Sequence, residues 1–304
     1  MGASPRALRA LVLLGAIDWA ATLWAPGPWA LKLDVVTAVL AVPVVRGMLL
    51  LRTAPGRRRG ARPRHRSGRA AALADSSTVM LAWKIRGSKG AQYTTQEQFE
   101  GFRRTLNRSR GEHARAAALA PEGDPAPYVG EIWTAIGIGY SHEEMHRVWK
   151  ELAGRAPHHY EATFSALQYW CAKWRGSEAL ARAFAVRAAA EGPAGSLMSV
   201  FPLIAHFEHD TSDSADVDRT PEMYATVDEV LADVAAADPD HPRLAEVRHL
   251  LAYYLYLQER WDEALEQFRL TATRARSRRG ATGATPREEF CRMRDECVAN
   301  GSGA

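Results

Sequence analysis

The chain reads as all-α, and three observations carry that reading. From about Asp75 onward apolar residues recur at helical spacing, and no strand–turn–strand run interrupts them. Leu244 to Leu257 and Trp261 to Ala272 are separated only by Gln258-Glu259-Arg260. A break that short forces two helices to lie as antiparallel neighbours. The predicted architecture is a stack of antiparallel helical hairpins over 75–280, a tetratricopeptide-like solenoid, with one short helix in a tail over 281–304.

The head of the chain has a different character. Ala10 to Ala25 and the 19 residues Leu33 to Leu51 are apolar, and Pro26-Gly27-Pro28-Trp29 lies between them. At about 1.5 Å per residue the second stretch spans roughly 28 Å, close to a bilayer core. Trp19, Trp24 and Trp29 cluster toward one end, where an aromatic belt would sit. Arg6 and Arg9 flank the start, Lys32 is the only base between the stretches, and eight arginines without an acid occupy 52–69. This bias predicts a transmembrane hairpin over 1–52 at the cell membrane, with both termini cytoplasmic. A cleaved signal peptide would need a convincing small-x-small site, which the first stretch lacks, and a second apolar stretch follows at once. Asp18, Asp34, Pro43 and Arg46 are unwelcome in lipid, and would better suit a pair of soluble core helices or a single span beside an interfacial stretch.

Segment 53–74 is predicted to be a disordered Arg-rich linker, because it has little apolar surface to bury. Arg57, Arg58, Arg59, Arg62, Arg64, Arg66 and Arg69 would hold anionic lipid, at up to about 1 kcal/mol per base. Nucleic acid is a poor candidate there, since no aromatic side chain interleaves the arginines to stack on bases. Residues 1–70 carry a net +10 and residues 71–304 a net −6. The acidic body thus argues against a broad nucleic-acid surface.

Helix by helix, the body is punctuated by caps and breaks. Thr94-Thr95-Gln96-Glu97 opens one helix before Phe99, Phe102 and Leu106, and Pro121 to Pro127 is a break. Ser141 with Glu144 makes a capping box before Met145, Val148, Trp149 and Leu152. Tyr160, Phe164, Leu167, Cys171 and Trp174 fall on one stripe of a helix from His158 to Trp174. Gly176 is read as its left-handed stop and Ser177 as the next cap. Leu180, Ala183, Phe184 and Ala188 line the following helix, and Leu197, Val200, Phe201 and Ile204 another. An acidic loop, Asp210 to Asp218, comes next, then a helix with Met223, Val227, Val230, Leu231 and Val234 that ends at Asp238-Pro239. In the last pair Leu251, Ala252, Leu255, Trp261, Ala264 and Phe268 stand where a tetratricopeptide repeat places its packing residues.

The block Gln168-Tyr169-Trp170-Cys171-Ala172-Lys173-Trp174-Arg175-Gly176-Ser177, with Ala183-Phe184-Ala185 and Ala205 to His209, resembles an uncharacterised actinobacterial helical-repeat family. The likeness covers roughly 125–215. It implies an all-helical fold and assigns no activity.

Candidate chemistry is sparse. Cys171, Cys291 and Cys297 form no C-x-x-C pair and no disulfide framework. His142-Glu143-Glu144-Met145-His146 matches H-E-x-x-H, which sets two imidazoles one turn apart with a Glu as general base for zinc-bound water. It falls in the first turn after a cap, and Leu152 stands where a third His would serve. Glu161 or His158 would have to complete it. Zinc-dependent hydrolysis is therefore the second reading, and no metal or cofactor is assigned. Lys173, Trp174 and Arg175 offer a basic-aromatic contact, and His206, Glu208 and His209 a polar cluster at a helix end. These six residues are the expected binding positions for a protein or peptide partner. No phosphate-cradling Gly loop or nucleophile elbow is present.

Overall fold

The computed structural model describes residues 63–87, 91–212, 214–275 and 284–301. Among these residues there is no strand, and the chain is all-α, with eleven α-helices. The two apolar stretches, together with Arg57, Arg58, Arg59 and Arg62, lie outside the described residues. No helix among the described residues is long and apolar enough to cross a membrane.

The helical body divides after Arg155 into two compact units. In the first unit α1 (Pro63–Arg86) packs along α2 (Gln96–Leu119). The span read as a disordered linker is thus helical from Pro63. Ala70 to Ala74 explains this, since alanine and leucine lose little on entering a helix, and Pro63 suits a first helical position. α3 (Ala126–Ile138) lies against both long helices, and α4 (His142–Arg155) against α3. Val79, Ala82, Phe102 and Leu106 form the core there, and Trp83 meets both Phe102 and Trp133 edge-on. The Thr95 capping box closes with Gln98, and the Ser141 box with Glu144.

The second unit is built on α5 (Tyr160–Trp170). Ten of its eleven residues are buried, so it is enclosed on all sides. Its buried hydroxyls are satisfied within the helix: Thr163 donates to the His159 carbonyl and Ser165 to that of Glu161. α6 (Glu178–Glu191) follows, capped by Ser177. Next come a 3-10 turn at Met198–Val200 and α7 (Phe201–His209). After the 3-10 turn Ala215–Asp218 the chain enters α8 (Pro221–Ala236), capped by Thr220. α9 (Leu244–Leu257) and α10 (Trp261–Ala275) are the neighbours expected from their short connection. Glu259 takes a left-handed φ of 57° in that connection. The tail forms α11 (Ala284–Asn300), which packs on α10 and buries Met293 and Cys297.

α5 stops four residues before the predicted end. Cys171 is extended, and its N–H is shared between the Leu167 and Gln168 carbonyls. Cys171 and Trp174 therefore leave the helical stripe. Gly176 is not left-handed. It is needed because a Cβ there would lie 1.8 Å from the Trp170 carbonyl oxygen, where the chain folds back across the helix end.

Candidate functional site

The turn after α5 brings several of the expected binding residues together. Lys173 Nζ lies 2.5 Å from Glu208 Oε2, and Gln168 Nε2 donates to Glu208 Oε1 at 2.8 Å. The Ala172 N–H donates to His209 Nε2 at 3.1 Å. His209 Nδ1 lies 2.8 Å from the Ala205 carbonyl, so Nδ1 donates there while Nε2 accepts from Ala172. Lys173, Glu208 and His209 thus fasten the turn to the end of α7. Trp174 is half-buried and Arg175 is exposed in the same turn. The Cys171 thiol is pushed up to about 12 by burial and then by Glu208, which leaves it protonated and unreactive.

His206 faces elsewhere, so the predicted trio splits between two clusters. One residue step on a helix is about 100°, which carries positions 206 and 208 to opposite faces. His206 Nε2 lies 2.9 Å from Asp218 Oδ1, and both residues are buried. Asp210 joins them: one ligand atom from each of His206, Asp210 and Asp218 lies within 4.8 Å of the other two. Asp210 Oδ1 also accepts the Ser212 N–H at 2.8 Å, which shapes the start of the loop. Gln258, buried at the end of α9, donates from Nε2 to the Asp218 carbonyl at 2.9 Å. In the sequence Asp210 and Asp218 belong to an acidic run that reads as a solvated loop. Their only signal is the spacing from His206.

In the first unit α4 sets His142 and His146 on one exposed face, a turn apart. Glu144 is occupied by its cap: the Ser141 N–H donates to its carboxylate at 2.8 Å and holds its pKa below the usual range. Glu161, the suggested remote ligand, accepts from Arg243 Nε at 2.8 Å. The grouping of metal-ligating side chains that converges among the described residues is the one at His206.

Two further features of the first unit are invisible in the sequence. His113 Nδ1 lies 2.5 Å from Asp75 Oδ2, and Nε2 lies 2.8 Å from Thr134 Oγ1. Thr134 is in turn 2.9 Å from Ser109 Oγ, which donates to the Leu106 carbonyl. Asp–His–hydroxyl order is that of a nucleophilic relay, but none of these four residues is more than 2 % exposed. A substrate cannot reach Thr134, and the network bolts α1, α2 and α3 together. Burial raises the Asp75 pKa, against the pull of His113.

The second feature is a cleft of about 350 Å³ beside α2. Arg103, Asn107 and Arg110 line one side, at positions four and three apart on one helix face, and Ile138, Tyr140 and Glu144 line the other. The Arg110 guanidinium lies 4.9 Å from the Tyr140 ring centre and 3.6 Å from Glu144. Tyr140 donates to Glu131 at 3.3 Å, and burial followed by the Glu131 charge pushes its phenol up to about 12. It stays a neutral donor at physiological pH.

No known protein family, no curated protein and no solved structure matches this chain.

Proposed function

We propose that this protein is a membrane-tethered, cytoplasm-facing helical scaffold without catalysis, and that it docks an acidic segment of a protein or peptide. The cleft carries the reading. Two exposed arginines, an amide and an aromatic ring over which one arginine sits recognise carboxylates and the apolar spacing between them. The two apolar stretches would anchor the chain and the arginines after them would hold anionic lipid, raising the local concentration of cleft and partner. The repeat-like pair α9–α10 supports the scaffold part: of the six residues expected at repeat packing positions, Leu251, Ala252, Leu255, Ala264 and Phe268 are fully buried and Trp261 is half-buried. Lys173 and Glu208, paired with each other, and His209, bonded to the Ala172 N–H and the Ala205 carbonyl, serve the scaffold's construction rather than its docking.

The test is fluorescence anisotropy of the full chain with a labelled peptide of alternating Glu and Leu, against one of alternating Lys and Leu. Binding of the acidic peptide alone, weakened about tenfold or more in Arg103→Gln/Arg110→Gln and by rising salt, is expected. Equal binding of both peptides, or none, overturns the docking role. Release of the chain from membranes by salt without detergent overturns the tether.

A further inference from the structure

We propose that His206, Asp210 and Asp218 form a site for one divalent transition-metal ion, Zn²⁺ best, which clips the loop after α7 back onto that helix. The proposal is independent of the cleft.

The donor set is one imidazole nitrogen and two carboxylate oxygens. Imidazole favours zinc and its neighbours over magnesium and calcium, and carboxylates disfavour a soft monovalent ion. Tetrahedral zinc with bonds of about 2.0–2.1 Å holds its ligand atoms roughly 3.3 Å apart. The His206 and Asp218 atoms stand at 2.9 Å, and the whole set lies within 4.8 Å. Asp210 is the half-buried member, at the start of the loop. An ion would take the place at Nε2 that now faces Asp218, with the ring bound through Nε2 as an imidazole ligand.

The surroundings supply an independent observation. Gln258 is 4 % exposed, and while Nε2 grips the Asp218 carbonyl, its Oε1 is buried without a hydrogen-bond partner. A buried carbonyl oxygen beside a ligand residue calls for a partner, which in native interiors is a protein group or ordered water. It is also what a metal-bound water, or the ion itself, would engage. Gln258 further fixes the backbone of Asp218 from α9, so the site draws its ligands from α7 and the loop and its support from α9.

The experiment uses the purified, untagged full chain, stripped with chelator and titrated with ZnCl₂ by calorimetry, with bound zinc counted by elemental analysis. One zinc per chain is expected. Asp210→Asn should weaken binding about tenfold or more, and Asp218→Asn at least as much. Asp210→Asn keeps the test decisive if the buried Asp218 variant fails to fold. His142→Ala/His146→Ala must retain the stoichiometry and affinity of the parent. No bound zinc, zinc bound equally well by Asp210→Asn, or zinc lost with His142 and His146 overturns the proposal.

Discussion

Two carboxylate–histidine pairs in this chain are chemically alike and differently placed. Asp75 and His113 are 0 % and 2 % exposed, and both ring nitrogens are engaged by side chains of neighbouring helices. Asp218 and His206 are 4 % and 9 % exposed, and one carboxylate comes from a loop that carries a third, half-buried acid. The first pair joins rigid helices and cannot admit a ligand. The second joins a helix end to an irregular segment, and Asp210 brings a third ligand atom within 4.8 Å. What separates a bolt from a candidate site is therefore not the residue types. It is whether the cluster is sealed among helices or reaches a half-buried residue at the start of a loop.

The largest expected effect tests the bolt. Asp75→Ala or His113→Ala leaves a buried polar group without its partner, and should cost about 3–5 kcal/mol in a urea melt. Thr134→Val removes one link and should cost about 1–3 kcal/mol. By contrast, Asp210→Asn in metal-free buffer should change stability by no more than about 0.5 kcal/mol, because Asn keeps an Oδ1 for the Ser212 N–H. Comparable losses at Asp75 and Asp210 would erase the distinction.

Next in size is Gly176→Ala, which sharpens the picture of the α5 turn. The added Cβ would meet a backbone oxygen that cannot swing aside. A loss of about 3 kcal/mol is expected, with far-UV dichroism of the native protein unchanged. A neutral result would mean that the Lys173–Glu208 and Ala172–His209 contacts do not fix the chain's course.

How much of this is legible in the sequence follows from the range of each signal. The caps at Thr95, Ser141 and Ser177 are legible because a cap and its target lie within three residues. The α9–α10 connection is legible for the same reason. Gly176 misleads because glycine serves both a left-handed turn and a close backbone approach, and only the fold says which. The Asp75–His113–Thr134 chain spans separations of 38 and 21 residues, with no periodic pattern joining them. His206 stands out in sequence for its place at a helix end. Its true partners stay hidden, because an acidic run reads as solvated until a loop is seen to turn back.

The second unit has its own buried charge, which gives the comparison a pH axis. Arg243 is 3 % exposed and lies between Glu161 and Glu246, at 2.8 Å from each. Burial pushes Glu161 up, but the Arg243 hydrogen bond and charge outweigh it and its pKa falls below 4.5. Its stabilisation is thus present above about 4.5 and lost as pH falls through the lowered value. Glu246 is raised above 4.5, chiefly by burial, so its contribution favours the folded state in acid and is lost as pH rises through the raised value. Urea melts between pH 3.5 and 7 should show Glu161→Gln losing less stability than the parent on acidification. Glu246→Gln should show a smaller decline than the parent as pH rises. Slopes of the same sign would show that the two carboxylates share Arg243 equally.

The smallest effect concerns the cap that borders the cleft. Ser141→Ala removes a hydroxyl that accepts the Glu144 N–H at 3.2 Å, and should cost about 1 kcal/mol. Glu144 has two masters: the Ser141 N–H, which depresses its pKa, and Arg110 at 3.6 Å. An acidic peptide entering the cleft would compete with Glu144 for that arginine. Glu144→Gln should therefore bind the Glu-Leu peptide severalfold more tightly, even though it weakens the cap. Weaker binding in this variant would mean that the helix end, and not Arg110, sets the affinity of the cleft.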